Sequence, residues 1–348
     1  MPIASELRTL LVGYGYAGQT FHTPLLLATK GIKLSHVASS QTAKVKQQLG
    51  ADVTVLADYS AAVQLADIDL VVIASPNDSH APLADLALRA GKHVVVDKPF
   101  ALTFNEAKAL TALATEQKLL LSVFHNRRFD ADFLALQQLL RSGLLGQVAH
   151  LESRFDRFRP QVRQRWREQA GPGAGLWFDL GPHLLDQSLV LFGLPHSITA
   201  SLKILRPDAT ATDWFSVLLD YGHFGVTLGA SMLAAAPSAR FTLQAQHGSW
   251  QKFGLDIQEE QLKQGLTPAD TGWGIEPQPG LLYQHEQVTP YSPAMGCYQH
   301  YYAAIVSAIN GKGANPVPPQ QSCSVMQLLE LAEHSATIGK TLPVMATY

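Results

Sequence analysis

Three side chains in this sequence have the types and spacing for acid–base chemistry. Asp179 and His183 stand four residues apart in the stretch Gly171-Pro172-Gly173-Ala174-Gly175-Leu176-Trp177-Phe178-Asp179-Leu180-Gly181-Pro182-His183, where a glycine-rich lead-in gives way to an apolar run. The run reads as a helix that starts at Asp179 and ends at Gly193. On a helix, positions i and i+4 share a face, so an acid and an imidazole placed there form a candidate general acid–base pair. The third residue, Lys98, follows His93-Val94-Val95-Val96-Asp97 and precedes Pro99. An ammonium group at the end of a buried strand can polarise a carbonyl or stabilise a forming alkoxide.

These residues need an electron partner, and the N-terminal sequence supplies a place for one. Gly13-Tyr14-Gly15-Tyr16-Ala17-Gly18 is G-x-G-x-x-G, following an apolar strand at 7–12 and opening a helix at 17–28. In that context the first glycine permits the tight turn and the second lets backbone approach a pyrophosphate. The third lets helix and strand pack closely, and the helix N-terminus offers N–H groups to the phosphates. The expected cofactor contacts are therefore Gly13, Gly15, Tyr16, Ala17 and Gly18. A second group follows the apolar run at 69–74: Ser75, Pro76, Asn77 and His80, with Asp78 or Ser79 as an alternative helix cap. Lys98 would lie at the nicotinamide end, where desolvation and the cationic ring would lower its pKa and suit it to proton transfer.

The strand at 34–38 ends in Ser39-Ser40, where an NAD-preferring site would carry Asp or Glu about 20 residues past the glycines. Ser39 leaves the ribose 2′ position without a repelling carboxylate. Ser39 and Ser40 can hydrogen-bond a 2′-phosphate, and Lys44, one turn into the next helix, adds charge unless it is only a solvated helix residue. NADP is the preferred cofactor on this reading, with NAD possible. In the oxidation direction His183 removes a hydroxyl proton, and Asp179 orients the imidazole or holds a neighbouring substrate hydroxyl. Lys98 stabilises the alkoxide. Which of Lys98 and His183 takes the proton stays open at this level.

The elements that must position these groups divide the chain in two. At 348 residues, about two domains are expected. Through residue 124, unbroken apolar runs (69–74, 93–96, 119–124) alternate with helical stretches (42–49, 80–90, 105–117), the pattern of a parallel sheet covered by helices. From 125 to 348 the pattern changes: helix at 129–142, then strand-like runs at 148–156, 197–205, 213–221, 226–230 and 240–247. A hairpin is expected at 221–225. Residues 256–296, rich in Gly, Pro and Gln, are expected to be long loops, with closing helices near 298–310 and 323–339. The fold class is thus α/β, an N-terminal doubly wound domain (1–124) followed by an α+β domain (125–348) on a large, mostly antiparallel sheet.

Composition narrows the partners. Hydrophobic residues at 47% and charged ones at 16% describe an ordinary globular protein, and a net charge of -2 gives no reason to invoke nucleic acid or an anionic membrane. Cys297 and Cys323 are too few for a disulfide framework, and no cluster has metal-ligand spacing. No leader pattern opens the chain and no run of about 18 apolar residues occurs, so a cytoplasmic protein with a small-molecule substrate is expected.

The combination of Gly13-x-Gly15-x-x-Gly18, Asp97-Lys98-Pro99, Gly175 and Asp179-x-x-x-His183 resembles the Gfo/Idh/MocA family of nicotinamide-dependent oxidoreductases over essentially the whole chain. Members usually show Glu-Lys-Pro; Asp97 shortens the acid by one methylene and keeps its charge. The resemblance implies an N-terminal Rossmann domain and a C-terminal α/β domain whose open sheet carries a homodimer or homotetramer interface. It also implies hydride transfer between a nicotinamide and a hydroxyl carbon of a sugar or polyol, with Lys98, Asp179 and His183 in the catalytic positions. Phe21-His22-x-Pro24, His125-Asn126-Arg127-Arg128 and Phe155-Asp156-Arg157-Phe158-Arg159-Pro160 resemble a bacterial branch that includes NADP-dependent scyllo-inositol dehydrogenases. Asn126 and Arg127 are the favoured substrate-binding pair, since each hydroxyl of such a substrate needs a polar partner. Two rival readings share the architecture: a nucleotide-binding regulator without turnover, which tends to lose the lysine or the Asp/His pair, and an NAD-dependent glycosidase.

Overall fold

The computed structural model describes residues 6–346. They form two compact units. The first runs to Phe129 and takes in Ile257–Gly274 and Cys297–Cys323; the second comprises Asp130–Asp256, Ile275–Gly296 and the chain from Ser324 onward.

In the first unit β1 (Leu7–Val12) passes through the glycine turn into a helical segment. That segment starts at Tyr16, passes through a π-turn, Gly18–His22, and continues as α1 (Thr23–Ala28). Then come β2 (Ile32–Ala38), α2 (Thr42–Leu49), β3 (Thr54–Leu56), α3 (Tyr59–Ala62), β4 (Leu70–Ile73), α4 (His80–Arg89), β5 (His93–Asp97), α5 (Phe104–Gln117) and β6 (Leu121–Phe124). The six strands form one parallel sheet in the order β3-β2-β1-β4-β5-β6. Every residue of β4 and β6 is buried, which is why they read as apolar runs without alternation. The strand order reverses between β1 and β4, the place where such sheets bind ligands beyond their carboxyl ends. After Lys98 the chain is stopped quickly: Thr103 accepts from the Glu106 N–H at 3.2 Å, and the Glu106 carboxylate accepts from the Thr103 N–H at 2.9 Å, a capping box that starts α5. The short β3 and α3 carry too few residues to show a period and were not expected.

The second part of the chain contributes α6 (Ala131–Ser142), β7 (Val148–Arg154), α7 (Gly175–Phe192), β8 (Ser197–Lys203), β9 (Trp214–Asp220), β10 (Gly225–Ser231), β11 (Ala239–Ala245) and β12 (Gly248–Phe253). It ends with α8 (Gln258–Lys263), β13 (Gly280–Gln284), β14 (Gln287–Tyr291), α9 (Gln299–Ile309), α10 (Pro319–Ile338) and β15 (Leu342–Pro343). Nine strands build one sheet in the order β14-β13-β12-β11-β7-β10-β9-β8-β15, antiparallel except where β7 meets β10. The expected hairpin joins β9 to β10. Residues 256–296 differ from the expected loops: they hold α8 and the β13–β14 hairpin. These pieces are short, and Pro290 sits in the edge strand β14, a position that tolerates a missing N–H.

The helix bearing Asp179 and His183 starts a turn earlier than expected, at Gly175, where φ is +86°. The Leu176 N–H donates to the Thr212 carbonyl at 2.6 Å, and a Cβ on Gly175 would lie 3.0 Å from the Thr212 nitrogen, so the glycine lead-in is part of the helix start. α7 packs on β9 and β10, where the buried Trp177 meets Phe215 edge-on at 4.9 Å and donates to the Leu329 carbonyl at 3.2 Å. Gly181 accommodates this indole: a Cβ there would come within 2.7 Å of its ring. Gly181→Ala is therefore expected to lower stability by about 1–3 kcal/mol through overpacking. Denaturant unfolding measures this, and an unchanged midpoint would mean that Trp177 has room to move.

Candidate active site

Each unit carries one constellation. In the first unit the glycine turn lies just past β1. Gly13 has φ +93°, and a Cβ there would meet the Ala74 carbonyl at 2.6 Å. A Cβ on Gly18 would overlap the carbonyl oxygen of Gly13, so this glycine allows the helix to approach the turn. Gly15 differs from both, because a Cβ there would meet no protein atom within 4 Å. The first and third glycines thus answer to the protein's own packing, and the middle one faces open space, as a pyrophosphate cradle requires. Gln19 donates to Gly15 from its backbone and to the Tyr14 carbonyl from its side chain, closing the turn.

Next to it, past β4, Ser75 and Ser79 hydroxyls are 2.5 Å apart, and the buried Asn77 begins a 3-10 turn. His80 is buried, with its ring nitrogens 2.8 Å from the Pro99 carbonyl and 3.0 Å from that of Ser75. Its side chain therefore ties the end of β4 to the loop after β5. That loop presents Lys98, half-buried and followed by a cis peptide bond to Pro99. The Asp97 carboxylate accepts from the Lys98 N–H at 2.8 Å. Burial alone would push the Asp97 carboxyl up. The neighbouring His22, Lys98 and His80 overturn that and hold it below the usual carboxylate range.

Past β2, the Ser39 hydroxyl is buried and accepts from the Gln41 N–H at 3.0 Å, while Ser40 and Lys44 are exposed. Ser39 shapes the turn, and Ser40 and Lys44 offer their polar atoms outward. No carboxylate stands among residues 38–44.

Tyr16, in the middle of the glycine motif, donates to Glu259 on α8 at 2.8 Å. Arg127 donates to the other Glu259 oxygen at 2.9 Å, and Lys263 lies 3.2 Å from the first. Arg127 and Asn126 are both buried, on the 3-10 turn that follows β6. Burial acts to raise the Glu259 carboxyl, but Arg127, Tyr16 and Lys263 prevail and bring it from the usual 4.5 to about 2. Burial and Glu259 together push the Tyr16 phenol up to about 12, so it stays the donor. Glu259 had no signal in the sequence, because it falls in the Gly/Pro/Gln-rich stretch with no period.

In the second unit, Asp179 and His183 lie one turn apart on α7, Asp179 half-buried and His183 buried. Pro182 sits between them inside the helix and removes the bond that would reach the Phe178 carbonyl. The Arg157 guanidinium is 4.0 Å from the Asp179 carboxylate. One turn further on, Gln187 accepts at 2.6 Å from Arg240, whose guanidinium lies between the Phe155 and Phe241 rings at 4.2 and 4.1 Å. Arg157, read in the sequence only as part of the Phe155–Pro160 segment, is brought by the structure to the acid of the pair.

Comparison with known proteins gives consistent results. The oxidoreductase family model for the NAD-binding Rossmann fold, GFO_IDH_MocA, matches residues 7–125, and that for the C-terminal alpha/beta domain matches residues 137–345. The chain is 50% identical to the uncharacterized oxidoreductase YdgJ of Escherichia coli over 98% of this chain and 99% of the relative. It is 33% identical to scyllo-inositol 2-dehydrogenase (NADP(+)) IolW of Bacillus subtilis over 95% and 94%. The solved structure of the YPO2259 oxidoreductase from Yersinia pestis superposes with a TM-score of 0.94 at 46% identity, covering 99% of both chains.

Because the Glu259 value in the folded chain lies below the unfolded one, its stabilisation is full above pH 4.5 and is lost as the pH falls towards 2. Glu259→Gln is expected to cost roughly 3 kcal/mol at pH 7, and the gap to the wild type should narrow by about 1 kcal/mol at pH 3.5. Urea unfolding at both pH values tests this. A gap that does not change with pH would show that the carboxylate is not held as described.

Proposed function

On the premise that the chain belongs to the Gfo/Idh/MocA oxidoreductase family, we propose that it is an NADP-preferring dehydrogenase acting on a secondary alcohol or ketone carbon of a sugar or cyclic polyol of the inositol kind. The nicotinamide, when bound, supplies the hydride acceptor or donor. Gly13, Gly15 and Gly18 would hold the pyrophosphate, as the open space above Gly15 favours. Ser40 and Lys44, turned outward, would meet a 2′-phosphate, and Ser75 and Asn77 would line the same edge of the sheet. The absence of any carboxylate after β2 is the observation that carries the cofactor preference, because Asp or Glu there would repel that phosphate. The likeness to a relative named as an NADP-dependent scyllo-inositol dehydrogenase supports the substrate class.

The chemistry asked of the chain is small. In the oxidation direction His183 accepts the hydroxyl proton, helped by an anionic neighbour four residues back. Asp179 has its own cationic partner in Arg157. Lys98 lends positive charge to the oxygen that becomes negative. Asn126 and Arg127 would bind hydroxyl groups. The retention of Lys98, Asp179 and His183 together favours turnover over a purely regulatory role.

The test is a nicotinamide absorbance assay with NADP and NAD offered separately against inositols, aldoses and acyclic polyols. Lys98→Ala and His183→Ala should each lower kcat by about 10²–10⁴-fold while NADPH binding stays within a few-fold. Ser39→Asp keeps an acceptor for Gln41 and adds the missing carboxylate, so the NADP/NAD ratio of kcat/KM should fall by about tenfold or more. Wild-type kcat in Lys98→Ala, or an unmoved ratio in Ser39→Asp, would remove the respective assignment.

A further inference from the structure

His22 is the last residue of the π-turn that follows the glycine motif, and none of its surface is exposed. A buried imidazole needs polar partners, and this one has them on two sides. Its Nδ1 lies 2.6 Å from the Tyr302 hydroxyl on α9. Its Nε2 makes no hydrogen bond and faces the Asp97 carboxylate at 3.9 Å, an electrostatic contact. The opposite oxygen of that carboxylate receives the Lys98 N–H at 2.8 Å. Phe124 packs against the ring at 4.4 Å, tilted by 45°, and in turn stacks on Tyr302 at 5.8 Å.

The order of these groups has a direction. The Asp97 carboxylate beside Nε2 favours a hydrogen on that nitrogen, which leaves Nδ1 to accept from the Tyr302 hydroxyl, a phenol that burial holds neutral by pushing it well above its usual value. This tautomer carries its hydrogen on Nε2, towards Asp97. His22 therefore presents its polar N–H to a buried carboxylate, and the carboxylate grips the backbone of Lys98. Other charged or titratable groups facing this line are His80 and Lys98 beside Asp97, and Tyr301, which donates to Ser122 at 2.8 Å.

We propose that His22 is a positioning residue for Lys98: with Tyr302 behind it, His22 holds the Asp97 carboxylate in the place from which that carboxylate fixes the Lys98 backbone at the end of β5. This rests on the reading that Lys98 serves the reaction. The line also links the nucleotide turn to the lysine loop through one side chain, since His22 closes the π-turn that begins at Gly18.

The test uses the full-length protein with three substitutions and two readouts. His22→Leu keeps volume and apolar packing but removes both polar contacts. His22→Gln can donate towards Asp97 and accept from Tyr302. Tyr302→Phe removes only the hydroxyl. In the absorbance assay His22→Leu should lose about 10–100-fold in kcat, with the NADPH Kd within about twofold of wild type. His22→Gln should recover most of that loss. The His22→Leu, Tyr302→Phe double variant should be little worse than His22→Leu alone, as expected of residues acting in one line. Amide hydrogen exchange, read by mass spectrometry at Lys98, should speed up in His22→Leu and return towards wild type in His22→Gln. Wild-type kcat in His22→Leu, equal loss in the Gln and Leu variants, or full additivity with Tyr302→Phe would each overturn the proposal. If the wild type turns over no polyol, the proposed substrate class fails, and the exchange readout still decides whether His22 holds the lysine loop.

Discussion

Every strand of a parallel sheet points the same way, so all its carboxyl ends arrive at one edge. In the six-stranded sheet of the first unit this constraint gathers residues that are far apart in sequence. Gly13 leaves β1, Ser39 leaves β2, Ser75 leaves β4 and Lys98 leaves β5. The reversal of strand order between β1 and β4 opens the crevice there. No loop has to reach far, and the loops can be short and braced. His80 braces two of them with a single ring, and the capping box at Thr103 stops the chain soon after Lys98.

The same edge concentrates charge in poorly hydrated surroundings. Asp97 and Glu259 are both carboxylates that burial alone would push up, and both are held below the usual carboxylate range by their neighbours. Their partners come from elements distant in the chain: His22 beside Asp97, and Tyr16 and Arg127 against Glu259. Removing one partner of such a group leaves an uncompensated charge, which costs more than the pair contributes. The nucleotide turn is thereby bound to its surroundings at two separate points, Tyr16 and His22.

Much of this was legible in the sequence because it follows local rules. The G-x-G-x-x-G turn, the apolar strands β4, β5 and β6 and the Asp179/His183 spacing each rest on a period or a steric demand visible within a dozen residues. What was not legible depends on contacts between distant segments. Glu259 lies in a stretch whose helix, α8, is too short to show a face. His22 reads as an ordinary packed histidine until Tyr302 and Asp97 are seen beside it. Arg157 is one arginine in a basic run until α7 places Asp179 near it. Ser39 illustrates a milder case: its position at the end of β2 was readable, but not that its oxygen is occupied by the Gln41 N–H. Nothing local marks Ile257–Gly274 and Cys297–Cys323 as companions of the N-terminal sheet, since only the folded chain brings them back to it.

The π-turn at Gly18–His22 sets an angular phase. An α-helix advances about 100° per residue, and a π-turn inserts one extra residue without lengthening the helix by a full step. Everything after it is rotated relative to the glycine motif. Deleting a single residue between Gly18 and His22 would restore regular winding, leave the phosphate turn untouched and swing the imidazole about a quarter-turn around the helix. The irregularity thus works as a clocking device, setting the angle between the nucleotide turn and the side chain that reaches towards the next strand but one.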